Sequence, residues 1–384
     1  MEHLQERVSH YFETRTEGGN GIFRDYIHAE SSSVKIFVFD NDYFNISNHK
    51  HAIDSQIHDL QQYSNDLIAS SAYMSEDNVH AQLEADFASH FGKECVLTQS
   101  GYAANTGLIQ AICSHETHVY IDKLTHASFW DGLYSRGTQT HVFAHNDMVD
   151  LENKIIKHGP GIIIVDSLYS GHGSFSPIKA LVQLKLKHKC ILVVDESHTL
   201  GVYSKTGLVD LMGYNETVDY ITASLAKAYC TRAGVIMGPH SQFIKEKSMH
   251  YVFSSALMRN DIIKLRAMFE VIKGADQKRN RLMRASNALR KALLKIVDVE
   301  DTPIPSPIIC IPTKSEAEMV KLHHHFVSKG IFAAPFFFPA TPRKSPNLRV
   351  TLHSEITVND IRTITNATAS FFQRSNSVVF SSKL

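Results

Sequence analysis

Ile191-Leu192-Val193-Val194-Asp195-Glu196-Ser197-His198 sets an unbroken apolar run directly before a cluster of polar side chains. A short run without polar alternation reads as a strand buried on both faces, the habit of parallel sheets covered by helices. Comparable runs lie on either side of it, at 95–98, 118–121, 162–166, 220–222 and 234–237. Segments of helical length separate most of them, among them an amphipathic stretch at 79–91 and one starting near Gly101. This alternation predicts an α/β fold built on a largely parallel sheet. In such sheets ligands bind beyond the carboxyl ends of the strands, so the residues after each run are the first place to look for chemistry.

Composition narrows the function classes. The 384 residues are 43% hydrophobic, which excludes disorder as the main state. Lys plus Arg and Asp plus Glu both number 39, so no basic footprint for nucleic acid exists and charge recognition must be local. The longest apolar runs, such as 161–165 and 331–340, are too short to cross a bilayer, and the charged amino terminus does not read as a signal peptide. A cytoplasmic protein without membrane contact is the expectation. The five cysteines, Cys95, Cys113, Cys190, Cys230 and Cys310, lack CxxC spacing and read as reduced, mostly buried thiols.

Along the chain, residues 1–46 read as an arm, with a glycine-rich stretch at 17–21 and serines at 31–33. Residues 47–258 form the large α/β domain. A charged helical connector follows over 259–295, and 296–384 read as a small α+β domain. In that domain strands are expected at 308–311, near Ile331 and at 348–351, with helices at 316–328 and from Val358.

Five strand ends carry polar groups: 99–105, 122–128, 166–170, 195–198 and 223–227. Ser100-Gly101-Tyr102 opens a helix and suits an anion such as phosphate, although an ordinary N-cap reads equally from it. Asp195 closes an apolar strand, where an unpaired carboxylate is costly. A protonated pyridine nitrogen satisfies it, as does a helix cap or a core ion pair. His198 follows three residues later and can reach a phenolic oxygen on the same ring. Lys227, with Ser224 three residues before it, can form an imine with an aldehyde. Alone it reads as an exposed loop lysine; the order of all four points to pyridoxal phosphate. GxGxxG and GxxxxGK[ST] are both absent, which removes the main support for dinucleotide or Walker-type nucleotide binding.

From about Asn41 to the last helix the chain resembles the α-oxoamine synthases, fold type I pyridoxal phosphate enzymes that condense an amino acid with an acyl-CoA and lose carbon dioxide. Within them it is most similar to the CqsA-type autoinducer synthases. Ser-Glu-Asp-Asn at 75–78, Gln-Ser-Gly-Tyr at 99–102, Val-Asp-Glu-Ser-His at 194–198 and Thr-Ala-Ser-Leu-Ala-Lys at 222–227 carry the resemblance. It implies an aspartate aminotransferase-like architecture: a large domain with a mostly parallel seven-stranded sheet, plus a small C-terminal α+β domain. It implies that Lys227 binds the cofactor covalently and then removes the α-proton. Asp195 would keep the ring nitrogen protonated, His198 would bond the ring oxygen, and His126 would stack on the ring and help acyl transfer. Ser100, Gly101, Tyr102 and Ser224 would hold the phosphate and Ser170 would border the ring. Ser254 and Ser255 would reach the phosphate of a second subunit, implying a homodimer with shared active sites. Arg349 would hold the substrate carboxylate, a task its planar fork suits.

The departures from the family pattern concern the amino donor. Residues 70–75, Ser-Ser-Ala-Tyr-Met-Ser, replace a glycine-rich, arginine-containing segment. Thr125 stands for the Asn before the stacking histidine, and His172 for an Asp. A His-Thr pair expected after the arginine strand is missing at His353 and Ser354. These differences argue against glycine or alanine, and the resemblance implies 2-aminobutyrate or S-adenosylmethionine with a medium-chain acyl-CoA. The product would be an α-aminoketone, the precursor of an α-hydroxyketone signal. The rival readings are an aminotransferase or decarboxylase on the same fold, and an inactive pyridoxal-binding or scaffold protein. His323-His324-His325 sits on an expected helix, where consecutive residues diverge, so no metal is expected. Phe336-Phe337-Phe338 reads as packing or as the wall of an acyl channel.

Overall fold

The computed structural model describes residues 2–14, 34–62, 69–75 and 77–381. The glycine-rich stretch at 17–21, the serines at 31–33 and Glu76 lie outside the described residues. The chain divides into two compact units, one of Phe44–Ser170 and Phe175–Arg279, the other of Met1–Tyr43, Gly171–Ser174 and Asn280–Leu384.

In chain order the strands are β1 (Ile36–Val38), β2 (Cys95–Thr98), β3 (His118–Asp122), β4 (Gln139–Phe143), β5 (Ile162–Asp166) and β6 (Ile191–Asp195). They continue with β7 (Tyr220–Ser224), β8 (Gly234–Met237), β9 (Ile308–Pro312), β10 (Ile331–Phe336) and β11 (Asn347–Thr351). The larger unit holds a seven-stranded sheet in the order β2-β8-β7-β6-β5-β3-β4. Only β8 runs antiparallel to its neighbours; the other pairings are parallel. All five residues of β5 are buried, as expected of a strand covered on both faces. The register sets Asp166, Asp195 and Thr222 side by side on β5, β6 and β7, so two carboxyls meet at one end of the sheet.

Two helices near that end begin on side chains that satisfy their open N–H groups. Asn78 accepts from His80 and Ala81 to start Val79–Phe91, and Ser100 accepts from Ala103 to start Gly101–Ile112. Leu108, Ile109, Phe129 and Leu133 of the next two helices pack on Val119, Ile121, Ile164 and Val193 of the sheet. A Cβ on Gly132 would lie 2.9 Å from Cβ of Ile109, so this glycine lets Ala127–Arg136 close on Gly101–Ile112.

The smaller unit has a four-stranded sheet ordered β1-β10-β11-β9. β1 comes from the segment read as an arm and pairs in parallel with β10. The single helix expected over much of 259–295 is instead two, Arg259–Lys273 and Asp276–Leu293, broken at Gly274-Ala275. Arg279 lies at the break: its guanidinium bonds the Ile272 carbonyl, which also accepts the Ala275 N–H at 3.2 Å, and its Nε donates to the Gly201 carbonyl at 2.9 Å.

Glu196, next to Asp195, is a structural carboxyl. Its Oε1 accepts from the N–H groups of Leu208 and Val209 at 2.7 and 2.9 Å and from the Thr199 hydroxyl at 2.9 Å. Burial pushes its pKa up to about 7, against the pull of those donors. A folded-state value above the unfolded one means that stability is complete below the ordinary carboxylate range and is lost as pH rises through 7. Glu196→Gln removes that loss. Between pH 4.5 and 8.5 the wild type is expected to lose about 3 kcal/mol more unfolding free energy than the variant, as read by urea denaturation.

Candidate active site

The polar strand ends of the larger unit converge around Asp195. This carboxylate is 5% exposed and fully engaged: Asn105 Nδ2 donates to Oδ2 at 2.7 Å and the Ser197 N–H to Oδ1 at 2.7 Å. Ser197 in turn accepts the Ser224 N–H at 2.7 Å, which ties the end of β7 to the turn after β6. Asp166, beside Asp195 in register, has its pKa raised well above the usual carboxylate range, first by burial and then by the Asp195 charge.

His126 caps the helix Ala127–Arg136, with Nδ1 2.8 Å from Ser128 Oγ. Its surface is open to solvent, yet protein crowds the ring and lowers its pKa, with the Asp195 charge opposing and the Lys227 charge assisting. The charges of Asp195 and Lys227 thus both act on His126. His198 is buried in the turn after β6, Lys227 is half-buried after β7, and Ser170 is half-buried after β5.

The expected phosphate cradle is built on bare backbone. A Cβ on Gly101 would lie 2.5 Å from Cβ of Ser224, and one on Gly234 would lie 2.2 Å from the Ser100 carbonyl oxygen. The amino end of Gly101–Ile112 is thus seated directly on β7 and β8, next to the Ser224 hydroxyl, as an anion site requires. Tyr102 turns outward and donates its hydroxyl to Asp131 Oδ2 at 2.7 Å. Gly101→Ala is expected to weaken phosphate-ester binding at least tenfold, since the new methyl can be relieved only by moving β7 or the helix start. Equilibrium titration of apoprotein with pyridoxal phosphate, followed by absorbance, measures it.

Ser254 and Ser255 follow the helix Met249–Phe253. The Ser255 carbonyl accepts from Gln99 Nε2 at 2.7 Å, and the Ala256 N–H donates to Ala69 at 2.8 Å. This strap therefore lies against the turn that leads into Ser100 and against residues 69–70. Arg349 belongs to the other unit. There it is 4% exposed on β11, donates Nε to Thr351 Oγ1 at 3.0 Å, bonds Asn41 Oδ1 and lies over the Phe336 ring at 4.9 Å. In that unit His323 bonds the Ala333 carbonyl, and His325 bonds the Ala367 carbonyl and Ser370. Among the described residues no group of three His, Cys, Asp or Glu is arranged to hold a metal.

Three residues of the site, Asn105, Ser128 and Ser197, were not assigned from sequence. Asn105 and Ser128 lie within the polar strand-end segments, but nothing in their spacing shows that they meet Asp195 and His126. The donor set fits pyridoxal phosphate: a held carboxylate, an amine, a buried imidazole and an anion cradle. Thr222 Oγ1, buried beside Asp195 with no partner among the described residues, is consistent with a polar group still to be received.

Residues 41–367 match the model of the aminotransferase class I and II family. The CAI-1 autoinducer synthase of Vibrio campbellii is 34% identical over 327 residues, 84% of this chain and 82% of that one. The chain belongs to the α-oxoamine synthases, within the class I and II aminotransferase family. An 8-amino-7-oxononanoate synthase of Lysinibacillus sphaericus is 27% identical over 74% of this chain and 75% of its own. Among solved structures, Sphingomonas wittichii serine palmitoyltransferase superposes with a TM-score of 0.82 at 21% identity, covering 89% of this chain and 88% of that one. The likeness establishes the fold type I architecture. As an α-oxoamine synthase the protein is a pyridoxal phosphate-dependent acyltransferase. No helix among the described residues is long and apolar enough to cross a membrane.

Proposed function

We propose that this α-oxoamine synthase condenses a medium-chain acyl-CoA with 2-aminobutyrate or S-adenosylmethionine, giving an α-aminoketone that leads to an α-hydroxyketone signal. The observation that carries the choice of product is the 34% identity with a CAI-1 autoinducer synthase over 84% of the chain. Bound pyridoxal phosphate supplies an electron-withdrawing ring in conjugation with the amino acid α-carbon.

The protein's own groups do the rest. Asp195, oriented by Asn105 and Ser197, keeps the ring nitrogen protonated. Lys227 would hold the cofactor aldehyde and would serve as the base for the donor's α-proton. His198 bonds the ring oxygen, His126 covers the ring face and Ser170 borders it. The helix start at Gly101 and Tyr102, with Ser100 and Ser224, holds the phosphate. Arg349 holds the donor carboxylate through the fork that β11 presents. Acyl transfer expels CoA, and decarboxylation then leaves the aminoketone.

The working form is proposed to be a homodimer in the cytoplasm, with Ser254 and Ser255 contributing to the partner's phosphate site. Phe253, just before them, is 76% exposed, and Met249, Met258 and Tyr73 are exposed large apolar residues of the same unit. Burying this surface in a second copy fits the strap's expected role.

The test is free-thiol release from acyl-CoAs of graded length, each paired with alanine, glycine, serine, 2-aminobutyrate or S-adenosylmethionine, with products identified by mass. Release with a larger donor and a medium chain is the expected result. Release only with glycine or alanine overturns the donor. No release, from protein that still binds the cofactor at Lys227, overturns acyl transfer and leaves an aminotransferase or a regulator.

A further inference from the structure

We propose that Asn105 and Ser128 are positioning residues that fix His126 as a neutral imidazole carrying its proton on Nε2 and couple that choice to Asp195. The inference rests on the pyridoxal phosphate acyltransferase reading. Its basis is one chain of hydrogen bonds whose direction chemistry determines.

Asn105, 2% exposed on the helix Gly101–Ile112, points Nδ2 at Asp195 Oδ2 at 2.7 Å and at Ser128 Oγ at 3.0 Å. A carboxylate only accepts, so the nitrogen and not the oxygen of the amide must face Asp195. Both amide hydrogens are then spent, one on Asp195 and one on Ser128. The amide oxygen is buried with no partner among the described residues. Leaving it so costs stability, and the arrangement keeps the two donated bonds nonetheless.

Ser128 is 0% exposed, and its Oγ already accepts from Asn105. Its own hydrogen is free to go to His126 Nδ1, 2.8 Å away. The Ser128 backbone N–H also approaches Nδ1, at 3.3 Å. The backbone N–H can only donate, so Nδ1 is an acceptor and carries no proton, and the Ser128 hydroxyl then donates to it as well. The neutral ring therefore holds its hydrogen on Nε2, the nitrogen left to donate to a reacting oxygen. Protonating Nδ1 would set its new hydrogen against two donors.

The other charged and titratable groups around His126 are Asp195, which favours its cation, and Lys227, which opposes it. Asp166 accepts its backbone N–H at 3.4 Å, and Tyr102 stands edge-on at 6.3 Å. The burial-lowered pKa of His126 agrees with a ring kept neutral.

The experiment compares Ser128→Ala, Ser128→Thr and Asn105→Ala in the holoenzyme, using the donor and acyl-CoA that support turnover. Ser128→Ala frees Nδ1 to take a proton. Its kcat should fall about tenfold, and the acidic limb of its pH–rate profile should move about one unit to higher pH. Ser128→Thr, which keeps the hydroxyl, should restore both. Without any substrate, Asn105→Ala should shift the pH at which the absorbance of the lysine-bound cofactor titrates and weaken cofactor affinity about tenfold, because the Asp195 carboxylate loses its amide donor. A wild-type profile in Ser128→Ala, or an unmoved titration in Asn105→Ala, overturns the inference while the acyltransferase reading stands. A wild-type protein that shows no lysine-bound band overturns that reading and the inference with it.

Discussion

Asp195→Ala is expected to turn over on the order of 10³-fold more slowly than wild type while remaining folded. The side chain is buried at the end of β6, and its two oxygens are held by Asn105 and the Ser197 N–H. Such an arrangement stabilises a cation placed against it far more than it would in water, because the dipoles around it are already oriented. Removing the carboxylate takes away the proposed partner of the ring nitrogen and leaves Asn105 Nδ2 with Ser128 Oγ as its acceptor. Asp195→Asn keeps the shape but not the charge, and so separates the two losses: it should restore folding stability and leave turnover low. Steady-state thiol release and urea denaturation measure them separately. Near-normal turnover in Asp195→Ala would sink the cofactor assignment.

Lys227→Ala carries the other large effect. In the proposed function Lys227 anchors the cofactor and moves the α-proton, so its loss should cost about 10⁴-fold or more in kcat. Borohydride treatment of wild-type protein should leave a stable cofactor adduct at residue 227, found by peptide mass. The variant should show none, while still binding the cofactor through the Gly101 cradle and Asp195. Lys227→Arg keeps the positive charge that His126 senses but cannot form the bond, so it should behave as the alanine variant does in turnover. Turnover in either variant within tenfold of wild type would assign the proton transfer to another group.

How far the sequence foretold this molecule varies by element, and the variation has physical causes. β5 and β6 were legible because strands buried on both faces are almost purely apolar, and the polar residues at their ends mark where burial stops. β4 was not, because Gln139–Phe143 is an edge strand with only Phe143 buried, and its composition carries no signal of pairing. Three residues, Ile36–Val38, were too few to distinguish a strand from an arm. The break at Gly274-Ala275 was not legible, since the charged helical pattern runs on through it and Arg279 meets the Ile272 carbonyl only from the next helix. The residues that the proposed site sets against the cofactor were read from motif order. Asn105, Ser128 and Ser197 work by angle and distance between separate strand ends, and no spacing along the chain encodes that.

The seating of Ser100 and Gly101 on β7 and β8 also sets an order of events during synthesis. β2, which leads into the cradle, pairs with β8, and the segments of β3 to β7 are made between them. A growing chain that has emerged only through β6 already carries the helix start and Asp195. It still lacks Ser224, Lys227 and the glycine strand against which the cradle closes. Pairing between such distant segments is slow to form and comes late in folding. Capture of the cofactor should therefore mark the completion of the larger unit and not its beginning. Once captured, the ligand draws the folding equilibrium toward the native state by mass action. Cells short of the vitamin would hold less of this enzyme as well as a less active form of it.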